Sequence, residues 1–195
     1  NTQWKAEGLA YALKQADVRC CLVAPEFQGE LRKSGEHQEL AKIIFDLGGG
    51  AVEIPGAHAL SSILPGASAD EPEGETPRGS DPLIITYTSG TTGWPKAVVN
   101  PHRAYIAAAE ELRDYVELNS GDILYTCLPL YHANPQVYCV LTALVSGGSI
   151  ALAERFSASR FWPDIRLYRA TAFSYVGAVL PILLNQPEKE EEKGS

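Results

Sequence analysis

The chain has 195 residues, of which 45% are hydrophobic and 21% are charged, the balance of a globular domain rather than of a disordered or fibrous protein. Its formal net charge is −8 and its Lys and Arg residues are scattered, which excludes nucleic acid as a partner. Its cysteines lack metal-ligand spacing and are predicted to be reduced core thiols. They are Cys20, Cys21, Cys127 and Cys139.

The start of the chain and its longest apolar stretch were compared with the patterns of signal peptides and membrane spans. The first residues have neither the basic start nor the apolar run of a signal peptide. The chain contains no methionine, so we expect its first residue not to be the start of the gene product. The longest apolar stretch, 137–153, is interrupted by Gly147 and Gly148 and is shorter than the roughly 20 residues that span a bilayer. We therefore interpret it as a helix, a turn and a buried strand.

The first half of the chain alternates between helical and strand patterns. Apolar spacing predicts a helix over 9–16, followed by a strand over 20–23. A second helical pattern covers about 36–47 and ends at three glycines, after which 51–54 is predicted to be a strand. From 55 to 82 the composition changes to Gly, Pro, Ser, Ala and acidic residues, and we predict a mobile surface loop.

The second half continues this alternation. Strands are predicted over 83–88 and 97–99, followed by a helix over 101–118, a strand over 122–126, a helix over 134–146, a strand over 149–153, a helix over 159–168, a strand over 171–176 and a helix over 178–185. Short connections between such units favour an α/β fold with partly parallel sheets covered by helices. In these sheets, ligands bind beyond the carboxyl ends of the strands. Residues 188–195 are an acidic tail.

Segment 87–96, Tyr-Thr-Ser-Gly-Thr-Thr-Gly-Trp-Pro-Lys, has the composition of a phosphate-binding loop. Its glycines let the backbone N–H groups approach an anion, its hydroxyls add donors, and Lys96 adds a positive charge. It is not a Walker A loop, because its glycines are too close together and Ala97 follows the lysine. It is not a nucleophile elbow either, since Tyr rather than Gly stands two residues before Ser89. An ordinary Ser/Gly-rich turn remains the alternative.

The whole string resembles the signature loop of the adenylate-forming superfamily, which includes acyl-CoA synthetases, luciferases and peptide-synthetase adenylation domains. Leu-Pro-Leu-Tyr-His at 128–132 is similar to the next motif of that family. One departure is Ala97, where most members have Gly. The resemblance covers nearly the whole chain and identifies 1–187 as part of the family's large N-terminal domain.

Other segments resemble particular branches of the superfamily. Residues 156–162, together with Tyr175, Gly177 and 185–187, are similar to the fatty-acid transport protein and very-long-chain acyl-CoA synthetase branch. Residues 132–136 also resemble carnitine-CoA ligases. The resemblance thus implies a fatty acid or another small carboxylic acid as the substrate.

In this family, a carboxylate attacks the α-phosphorus of ATP, pyrophosphate leaves, and the acyl-adenylate is captured by the thiol of CoA. The resemblance therefore implies ATP, Mg²⁺ and CoA as ligands. The residues that would bind the phosphates are Thr88, Ser89, Gly90, Thr91, Thr92, Gly93 and Lys96, and Thr88 would also help to place Mg²⁺. The substrate pocket would contain Tyr131, His132, Tyr175 and Gly177. The alternative for His132 is a structural, hydrogen-bonded residue.

Several family elements have no counterpart in the chain. It lacks the Tyr-Gly-x-Thr-Glu segment with the metal-binding Glu, the later Asp that binds ribose, and the C-terminal domain with its catalytic Lys. We therefore expect a fragment that is inactive alone. Two alternatives remain: an adenylation domain that loads a carrier protein, and a truncated, non-catalytic nucleotide-binding protein. The family implies an intracellular location, cytoplasmic, peroxisomal or peripheral to a membrane, but the sequence identifies neither the compartment nor the oligomeric state.

Overall fold

The computed structural model describes residues 3–40, 42–45, 54–88 and 94–186, with the backbone alone described for 42–45. The chain forms two compact units. The first contains Asn1–Thr76 and Tyr87–Val98, and the second contains Pro77–Thr86 and Val99–Ser195.

The first unit contains a parallel three-stranded sheet in the order β1-β2-β3. Its elements are α1 (Ala6–Gln15), β1 (Cys20–Val23), α2 (Gln28–Ser34), β2 (Lys42–Phe45), β3 (His58–Ala59) and α3 (Leu60–Ile63), with 3₁₀ turns at Pro25–Phe27, Glu36–Gln38 and Leu64–Gly66. Leu31 of α2 and Ile54 form its buried core, against which Leu9 and Leu13 of α1 pack. The helical spacing of apolar residues in α1 thus reflects one face that covers the core.

The predicted helix over 36–47 is wrong. Residues Glu36–Gln38 form a single 3₁₀ turn, and Lys42–Phe45 is the middle strand of the sheet. The helix lies earlier, as α2, and it ends at Gly35, whose φ of 78° is left-handed. A short apolar run fits a buried strand as well as a helix, and its β-branched and aromatic residues favour the strand.

Two other predictions in this unit fall partly on described residues. Of the predicted strand 51–54, residues 51–53 lie outside the described part of the chain, while the buried Ile54 is not in a strand. The predicted loop 55–82 contains β3 and α3, whereas 67–80 is exposed and has no helix or strand. The mobility of this loop stays a prediction, and the predicted tail 188–195 lies outside the described residues.

The second unit contains a parallel sheet in the order β7-β6-β8. It is preceded by a two-stranded sheet, β4 (Pro82–Thr88) and β5 (Lys96–Pro101), which contributes residues to both units. The other elements are α4 (His102–Val116), β6 (Ile123–Thr126), α5 (Ala133–Pro135), a π-helical segment (Gln136–Leu141), α6 (Thr142–Ser146), β7 (Ser149–Leu152), α7 (Ala158–Tyr168), β8 (Ala172–Phe173) and α8 (Val179–Leu184). The predicted α/β fold with partly parallel sheets is confirmed.

An aromatic cluster forms the core of this unit. Phe161 of α7 is 1% exposed and packs edge-to-face on Tyr125 of β6 and Phe173 of β8, with ring centroids 5.4 and 5.0 Å away. The hydroxyl of Tyr125 donates to Asp164 over 3.2 Å, and Arg160 donates to the other oxygen of Asp164 over 3.3 Å. Burial raises the pKa of Tyr125 well above its ordinary value. The buried carboxylate therefore has the hydrogen-bond partners that its desolvation requires.

The cysteines only partly meet their prediction. All four are free, and Cys127 and Cys139 are buried. Burial raises the pKa of Cys139 to about 11. Cys20 is exposed, because β1 is an edge strand and this residue begins it. Among the described helices, none is long and apolar enough to cross a membrane.

Gly148, which directly precedes β7, lies close to the backbone of Asp122. A Cβ added at Gly148 would lie 2.8 Å from the backbone oxygen of Asp122, whereas one added at Gly79 would meet the Cβ of Arg103 at 3.4 Å. We expect Gly148→Ala to lower the free energy of unfolding by about 1–3 kcal/mol, since backbone must move. Gly79→Ala is the control and should change it by less than about 0.5 kcal/mol.

Urea unfolding followed by the fluorescence of Trp162, the one tryptophan in this unit, measures both variants. Equal stability of the Gly148→Ala and Gly79→Ala variants would contradict the approach seen in the structure.

Candidate functional site

The phosphate-loop motif is described at its two flanks. Thr88 ends β4 and Lys96 begins β5, and both are exposed. The hydroxyl of Thr88 lies 3.5 Å from the backbone oxygen of Lys96, at the long limit of a hydrogen bond. Of the residues between them, Trp94 and Pro95 are described, whereas Ser89, Gly90, Thr91, Thr92 and Gly93 lie outside the described part of the chain. The structure thus brings Thr88 and Lys96 together at the base of the motif.

Both flanks are attached to the start of the chain within the first unit. The hydroxyl of Tyr87 donates to the backbone oxygen of Ala12 over 3.1 Å, and its ring packs edge-to-face on Trp4 with centroids 5.0 Å apart. On the other flank, Trp94 stacks on Tyr11 with centroids 4.9 Å apart and an angle of 18° between the rings.

The second motif follows the carboxyl end of β6 in the second unit. The rings of Tyr131 and His132 lie 4.4 Å apart, and the backbone N–H of His132 donates to the oxygen of Pro129 over 3.1 Å. His132 is exposed and precedes the first residue of α5. A side chain placed there is accessible to a ligand, which is compatible with the predicted role of His132 at a substrate pocket.

A pair of hydroxyls joins this segment to the end of β8. Ser174 Oγ and Thr126 Oγ1 lie 2.8 Å apart, and Thr126 Oγ1 also accepts the backbone N–H of Leu128 over 3.2 Å. Beyond this pair, Asn134 donates through its amide to the backbone oxygen of Tyr175 over 3.3 Å. The carboxyl ends of β6 and β8 therefore bring two of the predicted pocket segments, 131–132 and 175–177, to one sheet edge, where ligands of α/β proteins bind.

A cavity of about 330 Å³ lies beside β6 and β8 and reaches this edge at Ser174 and Tyr175. Its walls are mostly apolar, with a few polar groups, and it is lined by Leu112, Val116, Leu118, Leu124, Asn134, Tyr138, Ala172, Phe173, Ser174 and Tyr175. This size and lining are typical of small-molecule sites. Of the predicted pocket residues, only Tyr175 is among the lining residues; Tyr131, His132 and Gly177 are not.

Sequence reasoning missed Asn134, Tyr138 and Ser174 as pocket residues. Asn134 begins the predicted helix 134–146, and its side chain instead contacts the segment after β8. Tyr138 lies one helical turn beyond Asn134, so that the helical spacing of these two residues was an available signal. Ser174 directly follows β8, and its position at a strand end was another.

A larger cavity, of about 500 Å³, lies in the first unit. Lys14, Asp17, Arg19, Glu36 and Glu39 are among its lining residues, and Lys14 and Glu36 form an ion pair with 3.0 Å between Nζ and Oε1. None of the predicted site residues lines it. Because its charges are of both signs and partly paired, its volume alone does not indicate a ligand site.

Within the described part of the chain, no group of three His, Cys, Asp or Glu side chains could hold a metal ion. The hydroxyl of Thr88 is an oxygen ligand of the kind that Mg²⁺ accepts, and its role beside Mg²⁺ stays a prediction. Lys96 is exposed, and a lysine ammonium is a suitable partner for a polyphosphate.

The fold and these two motifs define an α/β protein with a nucleotide-type loop and an apolar pocket. A family model described as "AMP-binding enzyme" matches residues 1–195, and the chain belongs to that family. The expectation drawn from the resemblance is confirmed at this level.

Curated relatives are similar over part of their own length. The chain is 34% identical over 198 residues to the human long-chain fatty acid transport protein 1, covering 99% of this chain and 30% of that protein. It is 42% identical over 117 residues to the medium/long-chain-fatty-acid–CoA ligase FadD6 of Mycobacterium tuberculosis, covering 60% of this chain and 20% of that protein. The chain thus spans less than a third of the length of these relatives.

Solved structures show the same fold. A putative long-chain-fatty-acid CoA ligase from Rhodopseudomonas palustris has a TM-score of 0.81 at 17% identity, with 96% of this chain and 46% of that chain covered. ATP-bound MatB from the same organism has a TM-score of 0.78 at 23% identity, with 96% of this chain and 35% of that chain covered.

The hydroxyl pair makes a testable contribution to the sheet edge. Thr126 is fully buried, so Thr126→Val would leave the hydroxyl of Ser174 and the N–H of Leu128 without their partner. We expect the free energy of unfolding to fall by about 1–3 kcal/mol. Adding Ser174→Ala should cost less than it does alone, because the orphaned hydroxyl is then removed as well.

A double-mutant cycle of urea unfolding measures this coupling. Strictly additive single changes would show that the two hydroxyls do not support each other.

Proposed function

We propose that this chain belongs to an ATP-dependent carboxylic acid:CoA ligase that acts on a fatty acid through an acyl-adenylate. The observation that carries the proposal is the apolar cavity beside Tyr175, at the same sheet edge as the Leu-Pro-Leu-Tyr-His motif. The printed names of the relatives, a fatty acid transport protein and a fatty-acid–CoA ligase, support a long-chain acid as the substrate class.

The reaction has two steps. First, a carboxylate oxygen attacks the α-phosphorus of ATP, the bond to the bridging oxygen of the β-phosphate breaks, and pyrophosphate leaves with the electron pair. Next, the thiolate of CoA attacks the acyl carbon and AMP leaves. Both steps depend mainly on positioning and on stabilisation of phosphate charge.

The residues of this chain would serve the first step. The ammonium of Lys96 would neutralise charge on the β- and γ-phosphates, and the hydroxyl of Thr88 would contact a phosphate oxygen or the Mg²⁺ that the nucleotide brings. The apolar walls of the cavity would bury the hydrocarbon part of the acid, which favours binding in proportion to the area removed from water. His132 would border the carboxylate end of the pocket.

We further propose that the 195-residue chain has little or no ligase activity by itself. It contains the phosphate loop and one wall of the acyl pocket, whereas the acidic metal ligand, the ribose-binding Asp and the catalytic Lys of the family have no counterpart in its sequence. Release of AMP by the purified chain with ATP, Mg²⁺, CoA and a fatty acid would contradict this.

A single substitution tests the role of the loop. In the full-length gene product, Lys96→Met should lower kcat/KM for ATP by about 10- to 100-fold, the size expected for a charged hydrogen bond to phosphate. Lys33→Met is the control, since Lys33 is exposed in an ion pair with Glu30 on α2. Acid-dependent exchange of pyrophosphate into ATP is the measurement.

An unchanged rate in the Lys96→Met variant would contradict the assignment of the loop. A product that forms on a carrier protein and not on CoA would instead support an adenylation domain of the same superfamily.

A further inference from the structure

Helix α1 contacts the flanks of the phosphate-loop motif at two successive residues. Tyr11 stacks on Trp94, which precedes Lys96 by two positions, and the backbone oxygen of Ala12 accepts the hydroxyl of Tyr87, which precedes Thr88. All of these residues belong to the first unit, so the contacts are internal to one compact body.

Phosphate chemistry does not require the indole of Trp94. A phosphate-binding loop needs glycines, hydroxyls and a positive charge, and Trp94 supplies none of these. The side chain is 50% exposed, and its ring lies nearly parallel to that of Tyr11. Stacking of this kind stabilises an arrangement beyond the burial of area alone, which makes it a suitable anchor for the segment that carries it.

The stack of Trp94 on Tyr11 is close enough in sequence to Lys96 to affect the position of Lys96 at the start of β5. Only Pro95 lies between them, and its ring restricts its own φ and the conformation of the residue before it. Pro95 is therefore constrained from both sides, because Trp94 is held on α1 and the backbone of Lys96 is held in β5. On the opposite flank, the hydrogen bond of Tyr87 constrains Thr88 in the same way.

We propose that Tyr11 is a positioning residue for nucleotide binding: its stack on Trp94 holds Lys96 where it meets the phosphates. The inference rests on the proposed function, because it assumes that Lys96 binds ATP. Tyr11 acts through Trp94 and touches no reacting atom.

This role has a kinetic signature that a purely structural role lacks. Holding Lys96 in place favours the bound nucleotide in the ground state and in the transition state alike, so its loss raises KM for ATP and changes kcat little. The acid binds elsewhere, and its KM should stay constant. Loss of one stacked aromatic pair should raise KM for ATP by about two- to tenfold.

The test compares three variants of the full-length gene product. Tyr11→Leu removes the stacking partner, and Tyr11→Phe retains the ring and should restore the wild-type KM for ATP. Tyr115→Leu is the matched control, because Tyr115 on α4 is 88% exposed and lies in the other unit. KM for ATP, KM for the acid and kcat are determined for each by pyrophosphate exchange.

A second variant keeps the test valid if Tyr11→Leu does not fold. Trp94→Ala removes the other ring of the same stack, and it should raise KM for ATP to a similar degree. Trp94→Phe keeps an aromatic ring there and should have a KM for ATP close to that of the wild type. The inference is overturned if KM for ATP stays constant in Tyr11→Leu or Trp94→Ala, or if kcat and both KM values change together. Failure of the proposed function is separate, since the wild-type protein would then show no acid-dependent exchange at all.

Discussion

The candidate pocket depends on the position of β6 between its two parallel neighbours. The backbone of β6 pairs with β7 from Ile123 to Thr126 and with β8 at Leu124 and Tyr125, so that its side chains face packed layers on both sides. Parallel strands with helical connections end at the same edge, and that is why Thr126 and Ser174, 48 residues apart in sequence, meet there. If this register shifted by one residue, the side chains would exchange faces and the cavity would lose its apolar wall.

The aromatic core explains why this register is well defined. Tyr125 of β6 and Phe173 of β8 both contact Phe161, and Asp164, one helical turn further along α7, accepts the hydroxyl of Tyr125. A helix thus covers the sheet through one ring cluster and one buried hydrogen bond. The cavity lies at the edge of this packed body, on side chains whose backbone is already fixed. A ligand that binds at such a site loses little free energy to the ordering of the protein, because these side chains are already held in place.

Much of this architecture is predictable from local patterns, and the exceptions have physical reasons. The helix α4 and strands β4, β6 and β7 lie within two residues of their predicted bounds, because Pro, Gly and polar residues mark their ends. The run at Lys42–Phe45 falls in a predicted helix because its apolar residues satisfy either period, and its pairing with β1 shows that it is a strand. Strand β8, Ala172–Phe173, is shorter than predicted at both ends, although the backbone N–H groups of Thr171 and Ser174 still donate to Ile123 and Tyr125 of β6.

Part of the candidate site could likewise be predicted from the sequence, and part could not. The phosphate-loop and Tyr-His motifs can be recognised because each is contiguous in the sequence. Tyr175 was predicted from the resemblance, and it lines the cavity. Asn134, Tyr138 and Ser174 were not predicted as pocket residues, because helical spacing and a position at a strand end do not by themselves show that these residues line one cavity. The contacts of α1 with Tyr87 and Trp94 likewise join residues more than seventy positions apart, and only the fold reveals them.

The most direct test of the account is to look for the intermediate. The full-length protein is incubated with ATP, Mg²⁺ and a long-chain fatty acid without CoA, and the products are identified by mass spectrometry before and after CoA is added. The account predicts an acyl-adenylate and pyrophosphate in the first sample, and acyl-CoA and AMP in the second. Formation of ADP, or the absence of an acyl-adenylate with every acid in a panel of chain lengths, would contradict it.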